Sequence, residues 1–96
     1  MRRRLYESLQ DDLVELVSLM KRTNVLKITH RSKKGRMMST LEINNANVLL
    51  SGSSIFLSND SVTYSIRKIV NVESSPRTPN IIGISTRTSG EFAIIM

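Results

Sequence analysis

The residues best suited to chemistry in this chain are basic and lie close together in the sequence. Residues 30–36, HRSKKGR, hold the chain's one histidine and four Lys or Arg side chains, with no acid among them. The wider segment 21–36 carries seven positive charges and no negative one, and residues 1–4 add three more. Residues 37–96 balance four bases against four acids. Such a one-sided block suits a phosphate backbone, an acidic protein or an anionic surface.

The strand pattern around this block determines which bases could act together. Lys27 and Arg31 fall on one face of a predicted strand, and the bases that follow crowd the turn after it. The candidate nucleic-acid-binding residues are Lys27, Arg31, Lys33, Lys34, Arg36, Arg2, Arg3 and Arg4. A second interpretation stays open: these side chains only protect a sheet edge and keep the surface solvated.

The residues present disfavour enzymatic catalysis. His30 has no partner that the sequence reveals, and its register with Leu26 and Ile28 places it at the edge of the core face. Asp11 and Asp12 are adjacent on a predicted helix, so their side chains point about 100° apart and do not converge on a metal. The absence of cysteine excludes a thiolate zinc site. We therefore expect a non-enzymatic protein with no catalytic residue, metal or cofactor.

Hydrophobic periodicity predicts one helix followed by strands. Apolar residues recur at spacings of three and four at Leu5, Leu9, Leu13, Leu16 and Met20. This period predicts an amphipathic helix over about residues 4–22. The period changes to two after Asn24, as in half-buried strands. Turn composition separates these strands at residues 32–35, 44–47, 51–54 and 58–61.

The end of the chain is expected to add a loop and a hairpin. Both prolines lie in residues 74–79, which predicts a loop, and residues 80–96 alternate as a hairpin would. The expected fold class is α+β: the N-terminal helix packs on a small, strongly bent, mainly antiparallel barrel of five or six strands. We expect a single domain over residues 1–96, with the helix at about 4–22, the barrel at about 25–73 and the hairpin at about 80–96.

Residues 26–73 resemble a small Sm-like or SH3-like barrel. The similar segments are LKITHRSKKGR, MMSTLEI, VLLSGSSIFL and VTYSIRKIVNVE. The last of these looks like the end of YolD-like domains, which also place a helix before the barrel. The resemblance implies the barrel fold and an accessory protein of bacterial or phage type with a regulatory role, linked to DNA-damage functions.

The sequence is compatible with two functions. The first is electrostatic binding of nucleic acid, mainly through phosphates, because the few aromatic residues mostly share a register with apolar neighbours. The alternative is a protein-interaction or inhibitor module that forms a homodimer or higher oligomer through a sheet edge, with the C-terminal strand as the natural edge. The apolar runs are too short to cross a bilayer and no export signal is evident, so we expect a cytoplasmic protein without a membrane partner.

Overall fold

The fold begins with a helix whose apolar face is buried. A computed structural model describes residues 5–35 and 37–96, and the side chains of residues 9–35 and 37–96. Helix α1 spans Leu5–Lys21, within one residue of the predicted bounds at each end. It buries Leu13, Leu16 and Met20, which lie three and four residues apart. At the end of the helix the Leu19 carbonyl oxygen accepts both the Arg22 amide at 3.1 Å and the hydroxyl of Thr23 at 2.8 Å.

Eight strands follow and form two antiparallel sheets. Their bounds are β1 Val25–Arg31, β2 Met38–Asn44, β3 Asn47–Ser51, β4 Ser54–Ser58, β5 Thr63–Ile66, β6 Ile69–Ser75, β7 Thr78–Thr86 and β8 Glu91–Ile95. The large sheet has the strand order β2-β1-β8-β7-β6, and the small sheet has the order β3-β4-β5. Every pairing is antiparallel. The protein is thus an α+β protein dominated by antiparallel sheet, as expected.

The arrangement of the strands differs from the expected barrel. The described residues form eight strands rather than five or six, and both sheets are open, so no closed barrel is present in this part of the chain. The predicted loop over residues 74–79 is wrong, because β6 and β7 run through most of it and only residues 76 and 77 turn. The register shifts between Ser74 and Ser75. Pro79 falls in this irregular part of the ladder, where its missing N–H removes no regular bond.

The C-terminal strand is central rather than at an edge. Strand β8 pairs with β1 on one side and with β7 on the other. Its side chains Phe92 and Ile94 are buried, with Ile94 fully inaccessible. The premise that the last strand is a free edge is therefore wrong, and the edges of the large sheet are β2 and β6.

The core lies between the two sheets and the helix. Helix α1 packs on β3 and β6, one strand from each sheet. Each strand of the large sheet alternates between this core and an outer face, as Leu26 and Ile28 alternate with Lys27 on β1. The small sheet alternates in the same way, with Ile55 and Leu57 fully buried on β4. Each sheet therefore has one face that packs on the core and one outer face.

Candidate nucleic-acid interface

Two turns that are far apart in sequence meet at one end of the large sheet. The turn between β1 and β2 contains Lys33, whose Nζ donates to the carbonyl oxygen of Arg87 at 2.8 Å. Arg87 lies in the turn between β7 and β8. The two turns meet because β1 and β8 are paired neighbours, so the end of β1 lies beside the start of β8.

Gly90 allows these turns to pack closely. It is buried and has a φ of 89°, a conformation that L side chains rarely adopt. A methyl group at this position would overlap the carbonyl oxygen of Arg31 and lie 2.8 Å from the amide nitrogen of Lys33. The contact between the turns therefore depends on a residue without a side chain.

His30 supports the same junction from the core side. Its ring stacks on Phe92, with ring centroids 4.3 Å apart and planes 13° apart. Its Nε2–H donates to the carbonyl oxygen of Ser89 in the β7–β8 turn. A carbonyl oxygen can only accept a hydrogen bond, so this contact requires the proton on Nε2. His30 is half-buried on the core side of β1, where its register placed it, and it holds the turn in position.

A third connection joins the first two. The amide nitrogen of Arg87 donates to the carbonyl oxygen of Lys68 at 2.8 Å. Lys68 and Arg67 form the two-residue link between β5 in the small sheet and β6 in the large sheet. Lys68 has a φ of 57°, which turns the chain sharply at this corner. Both of these side chains are exposed.

These three connections create a surface that we call the basic end. Its members are the exposed side chains of Arg31, Lys33, Lys34, Lys68 and Arg87. An open cleft of about 390 Å³ lies between the two hairpin turns, and its lining includes Lys33, Lys34 and Glu91. Glu91 stands opposite Arg31 in the β1–β8 register and offsets part of the positive charge. The net charge of this end remains positive.

The structure divides the sequence block of seven bases between different places. Lys21 ends helix α1, just before β1 begins, which is the end of β1 opposite the basic end. Arg22 follows it directly. Lys27 lies on the outer face of the large sheet, paired with Glu42 in the β1–β2 register. Segment 21–36 is thus basic in sequence, but only its second half contributes to the basic end.

Of the sequence-predicted residues, Arg31, Lys33 and Lys34 come together at the basic end, while Lys27 does not join them. Arg36, Arg2, Arg3 and Arg4 lie outside the described residues. The sequence reasoning missed Lys68 and Arg87, which lie 32 and 51 residues beyond the block. The pairing of β1 with β8 brings the β7–β8 turn with Arg87 to the block, and the pairing of Ile69 with Thr86 places Lys68 beside that turn.

The outer face of the large sheet has mixed charge. A shallow groove of about 290 Å³ runs over the small residues Gly83 and Ala93. Arg31, Glu73 and Glu91 also line this groove. Opposite charges alternate across it, so this face has no strong preference for an anion.

The described side chains include no group of three or more His, Asp or Glu placed to hold a metal ion. The Tyr64 phenol faces the core, and its burial raises its pKa above the usual value of 10.0.

No helix in residues 5–35 and 37–96 is long and apolar enough to cross a membrane. No protein-family model, curated protein or solved structure matches the chain.

Proposed function

We propose that this chain is a non-enzymatic protein that binds nucleic acid through its basic end. The observation that carries the proposal is the hydrogen-bonded junction of Lys33, Arg87 and Lys68. Two hydrogen bonds, one from the Lys33 side chain and one from the Arg87 amide, fix three separate connections side by side, and each connection carries exposed positive charge. A phosphate backbone presents negative charge at regular short intervals, so it can meet several of these side chains at once.

The sequence resemblance of residues 26–73 to Sm-like and YolD-like domains supports the same proposal. It implies an accessory protein of bacterial or phage type with a regulatory role. A cytoplasmic location fits a chain that has no cysteine.

The test compares two variants that lose the same charge at opposite ends of the molecule. The basic-end variant carries Lys34→Ser, Lys68→Ser and Arg87→Ser, and keeps Lys33 because its hydrogen bond to Arg87 holds the two turns together. The distal variant carries Lys21→Ser, Arg22→Ser and Lys27→Ser. Each loses three positive charges from a formal net charge of +6. Fluorescence anisotropy with a labelled oligonucleotide at low salt measures the affinity.

The basic-end variant should bind about tenfold more weakly or worse, because three exposed charge contacts are lost together. The distal variant should stay close to wild type. Equal losses in the two variants would show that binding follows net charge alone, and no binding by the wild type would exclude the proposal.

A second candidate function is assembly through the free edge of β2. This strand has seven residues, pairs on one side only and carries Glu42 as its one charge. Met38 at its start is 60% exposed, and Met37 just before the strand is 73% exposed. Unprotected edges of this kind pair with other strands, so a second copy could add to the sheet as a homodimer.

Light scattering tests this candidate. A dimer that Met38→Lys dissociates, and that Val14→Lys on the exposed face of α1 leaves intact, would support it. A protein that stays monomeric at high concentration would exclude it.

A further inference from the structure

The outer face of the small sheet presents an aromatic ring that the core does not use. Ile55 and Leu57 on β4 are fully buried, so Phe56 between them points to the opposite face, where it is half-buried. Its neighbours across the sheet are Leu49 on β3 and Ser65 on β5. The Leu49 side chain is 62% exposed. Leu49 and Phe56 therefore form an apolar strip one row wide on this face, which ends at Ser65 on β5.

Arg67 covers the ring. Its Cζ lies over the Phe56 ring, 5.4 Å from the centroid, and its Nε donates to the hydroxyl of Ser65 at 3.3 Å. The ring and the hydroxyl together hold the guanidinium group in place. Because Arg67 is exposed as a whole, the side of the guanidinium away from the ring faces solvent. Arginine planes of this kind stack nucleic-acid bases.

The outer face of the small sheet differs in charge from the outer face of the large sheet. The strand positions around the strip are small and neutral: Asn47, Ser51, Ser54, Ser58 and Thr63. The large sheet instead places Glu42, Glu73 and Glu91 on its outer face. A polyanion therefore meets no carboxylate on the described strands of the small sheet.

The strip is continuous with the basic end. Arg67 is followed directly by Lys68, whose carbonyl oxygen accepts the Arg87 amide. Three strands spaced about 4.8 Å apart give a surface about 10 Å wide, which accommodates one or two nucleotides. One exposed leucine among hydroxyl groups offers too little apolar area for a stable protein interface.

We propose that the outer face of the small sheet stacks the bases of single-stranded nucleic acid on the Arg67–Phe56 pair, while the basic end holds the adjoining phosphates. This inference rests on the proposed function and specifies its substrate as single strands with unpaired bases. It adds a base contact to the phosphate contacts expected from the sequence, because Phe56 faces outward rather than into the core.

The test distinguishes the contribution of base contacts to the affinity from that of phosphate contacts. Two probes are used: a short oligothymidylate, and an abasic oligonucleotide of the same length and charge. Wild type is compared with Arg67→Lys, which keeps the charge but loses the planar group, and with Arg77→Lys, the same change in the exposed β6–β7 turn. Neither substitution touches the buried core. Fluorescence anisotropy gives the six dissociation constants, one for each protein with each probe.

The wild type should bind the oligothymidylate at least about fivefold more tightly than the abasic probe, since one stacked base contributes a factor of about 5 to 150. Arg67→Lys should remove this preference without weakening binding of the abasic probe, and Arg77→Lys should retain the preference.

Equal wild-type affinity for both probes would overturn the stacking inference and leave phosphate binding intact. Equal weakening of both probes by Arg67→Lys would overturn it too, because Arg67 would then contact phosphate only. Failure of the wild type to bind either probe would overturn the proposed function together with the inference.

Discussion

Replacing Gly90 with alanine should destabilise the protein more than an alanine at a comparable exposed glycine. With a φ of 89°, an alanine here costs about 1–3 kcal/mol in backbone strain. Its methyl group would also meet the backbone of Arg31 and Lys33, and relief of such overpacking costs about 1–3 kcal/mol more. The sum, about 2–6 kcal/mol, is a large part of the roughly 5–14 kcal/mol expected for a chain of this length.

Gly35→Ala is the matched control. Gly35 also has a positive φ, of 75°, but nothing lies within 4 Å of the added methyl group. Gly35→Ala should therefore lose only the free energy that backbone strain costs, without the further cost of steric overlap. Urea unfolding followed by circular dichroism gives both free energies of unfolding. If Gly90→Ala costs no more than Gly35→Ala, the two turns do not pack as closely as described, and the basis of the basic end is refuted.

Two further predictions concern the core. Ile94→Ala should lower the free energy of unfolding by about 2–5 kcal/mol, because Ile94 is fully buried on the central strand β8. Ile95→Ala, on the outer face of the same strand, should lower it much less. The same urea titration measures both variants. The raised pKa of Tyr64 makes a contribution to stability that is fully present below about pH 10 and is lost as the pH rises through the folded-state pKa. Unfolding measured at pH 8 and pH 11 should therefore show a larger fall for wild type than for Tyr64→Phe, and equal falls would contradict the assignment.

Local pattern sufficed to predict the helix and the first hairpin. The spacing of Leu13, Leu16 and Met20 depends only on the helical period, so the helix was located within one residue at each end. The alternation around Ile28 and the glycine-containing turn after it likewise predicted β1 and β2. Both signals are contained within short segments.

The arrangement of the sheets could not be predicted in this way. The pairing of Ile28 with Ile94 joins residues 66 positions apart, and no local pattern specifies it. This pairing makes β8 a central strand and brings Arg87 to Lys33, so the basic end also depends on it. The outward direction of the Phe56 side chain, by contrast, follows from the sequence. An apolar residue between Ile55 and Leu57 in a strand must face the other side.

The salt dependence of binding tests the central claim most directly. The affinity of wild type, the basic-end variant and the distal variant for a single-stranded oligonucleotide is measured over a range of salt concentrations. Each phosphate contact contributes about 0.7 to the slope of log affinity against log salt for single strands. The loss of Lys34, Lys68 and Arg87 should therefore reduce the slope by about 2, while the distal variant keeps the wild-type slope. The same slope for the two variants would contradict the claim that this end of the molecule contacts the phosphates.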